Sequence, residues 1–523
     1  MDDGTGTGAI RQPSAAPADL SDRLHTLVSK QAALRPAAVA LWWKDNGTTY
    51  AELNHRVRRV GACLAASGAP GERVAVLAWN CPEYVDLIYG TSAAGKILVP
   101  LNARLAPAEI LYQLRAATVG TLFADPELLS GLPELEDLFP ELQVIALGDD
   151  YRHWLNSTPA AEPPDTRLTD PAWILFTSGT TGRPKGAVLT QRSLLAGLRS
   201  AALGRPVRRD DRYLYPFPLF HVAAHNVLLQ HRHGAAVVLL KSFDPTALLT
   251  HCRKLQVTTL SLAPTMIAML LDEPAFNPSD LASVRSIGYG ASPMPLTLLR
   301  RLLATMDVDL CQSYGMTELA GSIAFLTPAD HRLAAADQPG LLASVGKPLP
   351  TARVRLAGAE GAEPAGPGEI LVSAEQCMSG YWQEGEATAA AIENGWLHTG
   401  DVGRFDDSGY LYLVDRKKDM IISGGENIAS REVEEVLRQH PAVRECAVIG
   451  VHDEHWGESV CAVLDLHGAV GDSVLDTWCR QHLAGYKTPR TWVRGIPIPI
   501  NAGGKIDKAA LRKTVAGAAQ SQP

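Results

Sequence analysis

No apolar stretch in the 523-residue sequence approaches the roughly 20 residues needed to cross a bilayer. There is no basic excess either: 48 lysines and arginines face 56 aspartates and glutamates, a formal charge of −8. That balance argues against a general nucleic-acid binder, which needs a basic field. The cysteines (Cys63, Cys81, Cys252, Cys311, Cys377, Cys446, Cys461, Cys479) are scattered and include no C-x-x-C pair. They read as buried thiols in a reducing, cytoplasmic compartment, not as disulfides or zinc ligands. Met1-Asp2-Asp3 opens the chain without an apolar signal core, and no internal repeat is visible. With 46% hydrophobic and 20% charged residues, an intracellular enzyme is the class that remains. The length is too great for one core, so roughly two to four compact units are expected.

What is present is a strand–helix alternation. Residues 1–18, rich in Gly, Thr, Ala and Pro, read as a disordered tail. An amphipathic helix follows, with Leu20, Leu24, Leu27 and Val28 at helical spacing. Runs such as Arg73 to Leu77 and Ile97 to Leu101 read as strands around a buried helix from Tyr84 to Ala94. The rhythm resumes after residue 212 and predicts an α/β architecture with largely parallel sheets. From Ala352 to Leu413, short strands between Gly/Pro turns predict a small β-barrel-like subdomain. The charged run Asp415 to Asp419 then precedes a last α+β segment, whose helix carries Val433, Val436 and Leu437 and is expected to be capped by Ser430. The division expected is therefore 19–416 for a large N-terminal domain, 417–513 for a mobile C-terminal domain and 514–523 for a tail.

The chemistry concentrates in one stretch. Trp173 to Phe176 and Ala187 to Leu189 read as strands flanking Thr177, Ser178, Gly179, Thr180, Thr181, Gly182, Arg183, Pro184, Lys185 and Gly186. Hydroxyls, glycine-freed backbone N–H groups and two cations suit a polyphosphate. The frame is not a Walker loop, because no Ser or Thr follows Lys185. A flexible polar hairpin has the same composition, although Arg183-Pro184-Lys185 stiffens the exit. Further along, Gln312 to Glu318 places a ring, hydroxyls and a carboxylate in a polar turn; a ring stacks on a base and a carboxylate holds Mg2+. Asp401 follows a glycine and suits a ribose, or is an ordinary Gly-Asp turn. Ser423-Gly424-Gly425 and Asn501 to Lys505 look, singly, like a solvated hairpin and a surface lysine on a mobile turn.

Taken in order, TSGTTGRPKG, YGASP (289–293), YGMTE, HTGD, DRKKDMIISGGENI and NAGGKI resemble the acyl-adenylate-forming superfamily, in form most like bacterial medium- and long-chain fatty acyl-CoA synthetases. The resemblance implies an ATP-dependent acid–thiol ligase. An apolar carboxylic acid, of medium or long chain or bulky, becomes an acyl-AMP with release of pyrophosphate, and the acyl group then passes to the thiol of CoA. A carrier protein's phosphopantetheine is the alternative acceptor, and a non-catalytic nucleotide-binding relative the alternative of another class. By resemblance, Thr177, Ser178, Gly179, Thr180, Thr181 and Lys185 hold the β- and γ-phosphates. Glu318 ligates Mg2+ and Thr317 contacts the α-phosphate. Gly290, Ala291, Ser292, Ser313, Tyr314 and Gly315 frame the adenine, while Asp401 and Arg416 bind the ribose. Lys505 is the catalytic residue for adenylation, Lys418 the hinge about which the small domain turns, and Ser423, Gly424 and Gly425 line the thiol tunnel.

The acid itself falls to Pro218-Leu219-Phe220-His221, where His221 gates the carboxylate, with Ala223, Ala224, Tyr289 and Gly290 around the acyl body. Peptide-synthetase relatives carry an Asp at the place of His221, so an α-amino acid is disfavoured. His225, His231 and His233 lack the acidic or Cys spacing of a zinc site and read as surface or core histidines. Two departures stand out: the final motif has Ile500 in place of a common cation and Gly503-Gly504, expected to loosen the lysine's loop, and Ala429-Ser430 stands where such relatives often have Pro. A homodimer is compatible with this reading.

Overall fold

In the computed structural model the described residues are 22–177, 183–292, 294–358, 366–423, 426–453, 456–502 and 504–520. The expected alternation is present, and local chemistry accounts for where its elements begin. Thr49 caps the helix Tyr50–Ala66: its hydroxyl accepts from the Glu52 N–H, while the Glu52 carboxylate accepts from the Thr49 N–H at 2.8 Å. Proline opens the helices Pro82–Ala93 and Pro245–Leu255, where its missing N–H costs nothing.

Two large sheets form the body. One has seven strands, in the order Gly380–Tyr381, Lys185–Thr190, Pro171–Thr177, Ile97–Leu101, Arg73–Leu77, Val119–Ala124 and Gln143–Ala146. The other has nine, with Asp309–Met316, Ser286–Gly290, Thr259–Leu262, Arg212–Tyr215 and Ala236–Leu239 running parallel at its centre. Parallel strands are buried on both faces, and Val74, Ala75, Val76 and Leu77 are all at most 1% exposed. Trp173, the largest fully buried side chain among the described residues, lies in the core shared by the two sheets. The carboxyl ends of such strands are where open α/β sheets place ligands. The segments there are His221 after Arg212–Tyr215, Ala291 after Ser286–Gly290 and Thr317 after Asp309–Met316.

The predicted β subdomain is a five-stranded sheet built on Gly368–Ala374, Trp396–Phe405 and Leu411–Arg416. The C-terminal segment has its own sheet and its own core, in which Ile421, Ile428, Val433, Leu437, Val448 and Val460 pack together. Several details differ from expectation. The helix Lys508–Gln520 runs past residue 513, and Val515 is buried beside Leu511, so 514–520 is helix and not tail. Ser430 is the first helical residue of Ser430–Arg438 and does not cap it. Instead Asp415 takes that place across the charged run, accepting from the Ser430 N–H (2.6 Å) and Oγ (2.7 Å). All eight cysteines are free, and six are buried. The expected disordered tail, residues 1–18, lies outside the described residues. Among the described residues no helix is long and apolar enough to cross a membrane.

Candidate active site

The strands Pro171–Thr177 and Lys185–Thr190 form an antiparallel hairpin in which Thr177 pairs with Lys185. Their connection holds Ser178, Gly179, Thr180, Thr181 and Gly182, which lie outside the described residues. At its base, Thr177 Oγ1 donates to Glu318 Oε1 at 3.2 Å. The motif carrying Glu318 is not one polar turn. Ser313, Tyr314, Gly315 and Met316 complete a strand, and Thr317–Leu319 forms a single 3-10 turn that sets Glu318 inward, 6% exposed. Gly315 is required here, because a Cβ would stand 1.9 Å from the Gly321 carbonyl.

A residue that the motifs did not reveal completes this cluster. Tyr381, on a two-residue strand paired with Lys185–Thr190, donates its hydroxyl to Glu318 Oε1 at 3.1 Å. Lys185 Nζ lies 5.5 Å from the centre of the same ring. Burial raises the Tyr381 pKa and Glu318 raises it further, so the phenol remains a donor. The only sequence signal was Gly380-Tyr381-Trp382 itself, too short for any periodicity. Tyr381→Phe is expected to lower adenylation kcat/KM about tenfold, the effect of losing a hydrogen bond to a charged acceptor. A magnesium titration of pyrophosphate release checks it, and an unchanged profile contradicts it.

Asp401 sits in the long strand Trp396–Phe405 and not in a turn, although Gly400 before it adopts φ of 70°. It is 5% exposed and ties together a polar group. Tyr314 donates its hydroxyl to Asp401 Oδ2 at 2.7 Å, and Arg416 Nε pairs with Asp401 Oδ1 at 2.6 Å from the neighbouring strand. Gly290 ends its strand beside Ser313, whose carbonyl would meet a Cβ at 2.7 Å; Ala291 then turns at φ 68° with Ser292 after it. Gly290 and Ser313 are thus paired on neighbouring parallel strands, at the carboxyl ends where such sheets place ligands.

Lys505 reaches this group from the C-terminal segment. Its loop is closed more firmly than its glycines suggest: the Asn501 N–H donates to the Lys505 carbonyl at 2.7 Å, the Lys505 N–H to Asn501 Oδ1 at 3.1 Å, and Ile500 bridges Ile506. Asn102 of the N-terminal body donates to the Ala502 carbonyl at 3.3 Å, docking that loop against the site. The Lys505 side chain keeps access to water, yet crowding by protein lowers its pKa. Arg416 and Lys418 add to that fall, while Asp401 and Glu318 oppose it. The charges around Lys505 thus come from segments on both sides of Lys417. Lys418 lies in the exposed turn between the two sheets.

His221 faces the same space. Burial first, then Arg104 and Lys505, push its pKa down to about 4, so the imidazole is neutral at neutral pH. Ala223 and Ala224 form a 3-10 turn leading into the helix His225–His233. Tyr289, assigned to the acyl pocket, is turned away from it. Side chains alternate along a strand, so Tyr289 projects opposite Gly288 and Gly290, and its hydroxyl is bonded to His331 Nε2 at 2.8 Å inside the second core. His231 is a core histidine held between the Tyr89 hydroxyl (2.7 Å) and the Ala40 carbonyl (3.0 Å). Among the described residues no cluster of three His, Cys, Asp or Glu could hold a metal. The Glu318 carboxylate is nevertheless the kind of oxygen donor that suits Mg2+ bridged to phosphates.

On the C-terminal sheet, Ser423 is buried and pairs with Gly457, next to Trp456; Gly424 and Gly425 lie outside the described residues. The Arg490 guanidinium stacks 4.4 Å from the Trp456 ring.

Residues 28–382 match the AMP-binding enzyme family, and residues 432–505 match the AMP-binding enzyme C-terminal domain. A feruloyl-CoA synthase of Amycolatopsis sp is 38% identical over 92% of this chain and 97% of its own. The fatty acid–[acyl-carrier-protein] ligase ScoC of Streptomyces coeruleorubidus is 34% identical over 94% and 98%. Among solved structures, the o-succinylbenzoate CoA synthetase MenE of Bacillus subtilis with its acyl-adenylate superposes with a TM-score of 0.83 at 33% identity, covering 94% of this chain and 97% of that one. The same enzyme has been solved with ATP and a magnesium ion, at a TM-score of 0.82, 33% identity and coverage of 94% and 99%.

Proposed function

The chain belongs to the AMP-binding enzymes, and within that family we propose that it activates an apolar carboxylic acid with ATP and transfers the acyl group to CoA. The observation that carries the first half is the docking of the Lys505 loop through Ala502 on Asn102, at 3.3 Å, within electrostatic reach of Asp401, Arg416 and Glu318. A carboxylate oxygen attacks the α-phosphorus, the bond to the bridging oxygen breaks, and pyrophosphate departs. Negative charge grows on the phosphoryl oxygens, and fixed cations stabilise it most where water is scarce. Lys505 supplies that charge beside the acid. Asp401, tied by Tyr314 and Arg416, orients the ribose. Glu318 would hold Mg2+, whose contribution is charge neutralisation on the phosphates. A neutral His221 lets the substrate carboxylate approach without being captured as an ion pair.

The second half requires the Lys505 loop to withdraw so that a thiol can attack the acyl carbonyl and expel AMP. Lys418 and the few bonds around it form the hinge of that proposed motion. CoA is favoured over a carrier protein by the partly exposed Trp456 with Arg490 against it, close to Ser423. An aromatic face with a cation suits the adenine nucleotide of CoA, which phosphopantetheine on a carrier lacks. Enzyme, ATP and acid are incubated with CoA and, separately, with holo carrier proteins, and thioesters are weighed by mass spectrometry. Acyl-CoA is expected. An acylated carrier with no acyl-CoA contradicts the reading and favours the role for which the Streptomyces relative is named.

A further inference from the structure

On the two-step reading above, Lys505 must first be held at the site and then released. Its loop meets the N-terminal body through a neutral hydrogen bond, Asn102 to the Ala502 carbonyl at 3.3 Å. A charged connection runs behind that loop, through the fully buried Ser430. The Ser430 N–H donates to Asp415 Oδ2 at 2.6 Å, and its hydroxyl donates to the same oxygen at 2.7 Å. Lys508 Nζ donates to Ser430 Oγ at 2.6 Å and pairs with Glu434 Oε1 at 2.7 Å. The hydroxyl thus gives its proton to the carboxylate and a lone pair to the ammonium, the polarity each charge prefers. Both anions are fixed by backbone as well. The second Asp415 oxygen accepts the Arg416 N–H at 2.7 Å, and Glu434 Oε1 accepts the Val448 N–H at 2.9 Å.

The ends of this relay belong to parts that the proposed rotation would separate. Asp415 lies in the strand Leu411–Arg416, which pairs with Trp396–Phe405: Asp415 stands opposite Val402, and Arg416 opposite Asp401. It therefore stays with the N-terminal body. Ser430 opens the helix Ser430–Arg438, whose Val433 and Leu437 pack with Ile421 and Val448 in the C-terminal core. Lys508 follows Lys505 by three residues and opens the helix Lys508–Gln520, which packs Leu511 and Val515 on the same sheet. Lys418 falls between the two groups. A turn about Lys418 carries Ser430 and Lys508 together and leaves Asp415 behind. The Asp415 carboxylate would then lose both donors from Ser430, and a buried charge without its partners is costly. The relay also reaches the site at both ends, because Arg416, next to Asp415, holds Asp401.

We propose that Ser430 is a positioning residue for adenylation: through Asp415 and Lys508 it latches the C-terminal segment in the arrangement that presents Lys505, and its bonds to Asp415 open when that segment turns. This rests on the two-step ligase reading and on a pivot at Lys418.

Proline at position 430 removes the N–H and the hydroxyl together, yet is tolerated at the first position of a helix. Ala429 is already extended (φ −73°, ψ 115°), as the residue before a proline must be. Alanine removes the hydroxyl alone. Two rates are measured on the full-length protein: acid-dependent ATP–pyrophosphate exchange, and transfer from supplied acyl-AMP to CoA. The probes are hexanoic, decanoic and benzoic acids and their synthetic adenylates. Exchange draws on the docked population and transfer on the turned one, so the ratio of the two rates follows their equilibrium wherever it starts. Ser430→Pro is expected to lower that ratio about tenfold, the scale of a hydrogen bond to a charged group, and Ser430→Ala about threefold. Transfer should hold at the parent rate or rise, which a damaged fold would not produce. An unchanged or raised ratio, or an equal loss of both rates, overturns the latch and leaves Ser430 a structural bond. If Ser430→Pro does not fold, Ser430→Ala decides by the same ratio. A parent enzyme that fails either reaction with every probe overturns the two-step reading and the proposal with it, whereas an unchanged ratio overturns the latch alone.

Discussion

Replacing Lys505 with alanine is expected to cut acid-dependent ATP–pyrophosphate exchange by a factor of about a hundred or more, the scale seen when one preorganised charge-stabilising group is removed. The structure gives the reason. On the proposed reading Lys505 is the cation that acts on the reacting phosphate, and Asp401, Arg416 and Glu318 lie within electrostatic reach of it. Its loop is fixed by the Asn501 bonds and docked through Asn102 and Ala502, so the ammonium is delivered and not left to wander. Alanine removes the charge and leaves those backbone bonds intact. The second half-reaction, transfer from supplied acyl-AMP to CoA, should fall by only a few fold, since the lysine must be elsewhere when the thiol attacks. Equal losses in both half-reactions would mean that the substitution disturbs the fold or the hinge, and the assignment of Lys505 to adenylation would fail.

Changing Glu318 to Gln is expected to have the next largest effect, about a hundredfold in kcat/KM with a raised magnesium requirement. Gln keeps the volume and one acceptor oxygen, so Thr177 and Tyr381 retain their partner while the charge is lost. The measurement is exchange rate against magnesium concentration, with the thermal unfolding midpoint as a control for the fold. A wild-type magnesium curve would show that Glu318 is a buried structural carboxylate and that the metal is held elsewhere. A collapsed midpoint would place its charge in the fold instead.

Much of this was legible in the chain. Strand and helix rhythm depends on local periodicity, so Arg73–Leu77, Pro82–Ala93 and Ile97–Leu101 could be read within a residue or two. The motifs around Asp401, Glu318 and Lys505 were recognisable as contiguous runs, although nothing local showed that they meet. What escaped depended on pairing. Tyr381 reaches Glu318 only because two residues add to the edge of a sheet whose strands lie some two hundred positions earlier. Ser430 fitted the composition of a cap, but Asp415, fifteen residues away, took the orphaned N–H. Tyr289 was misassigned because neighbours in sequence were treated as neighbours in space, and strand alternation sends it to the opposite face.

The central claim is that a carboxylate attacks the α-phosphorus of ATP between Glu318, Asp401 and Lys505. It is tested most directly with an acid labelled by oxygen-18 in its carboxyl group. The enzyme is given this acid with ATP, magnesium and CoA, and the products are separated and weighed. One label is expected in AMP and one in the acyl thioester, with unlabelled pyrophosphate. Labelled orthophosphate with ADP, or AMP without label, would contradict the account.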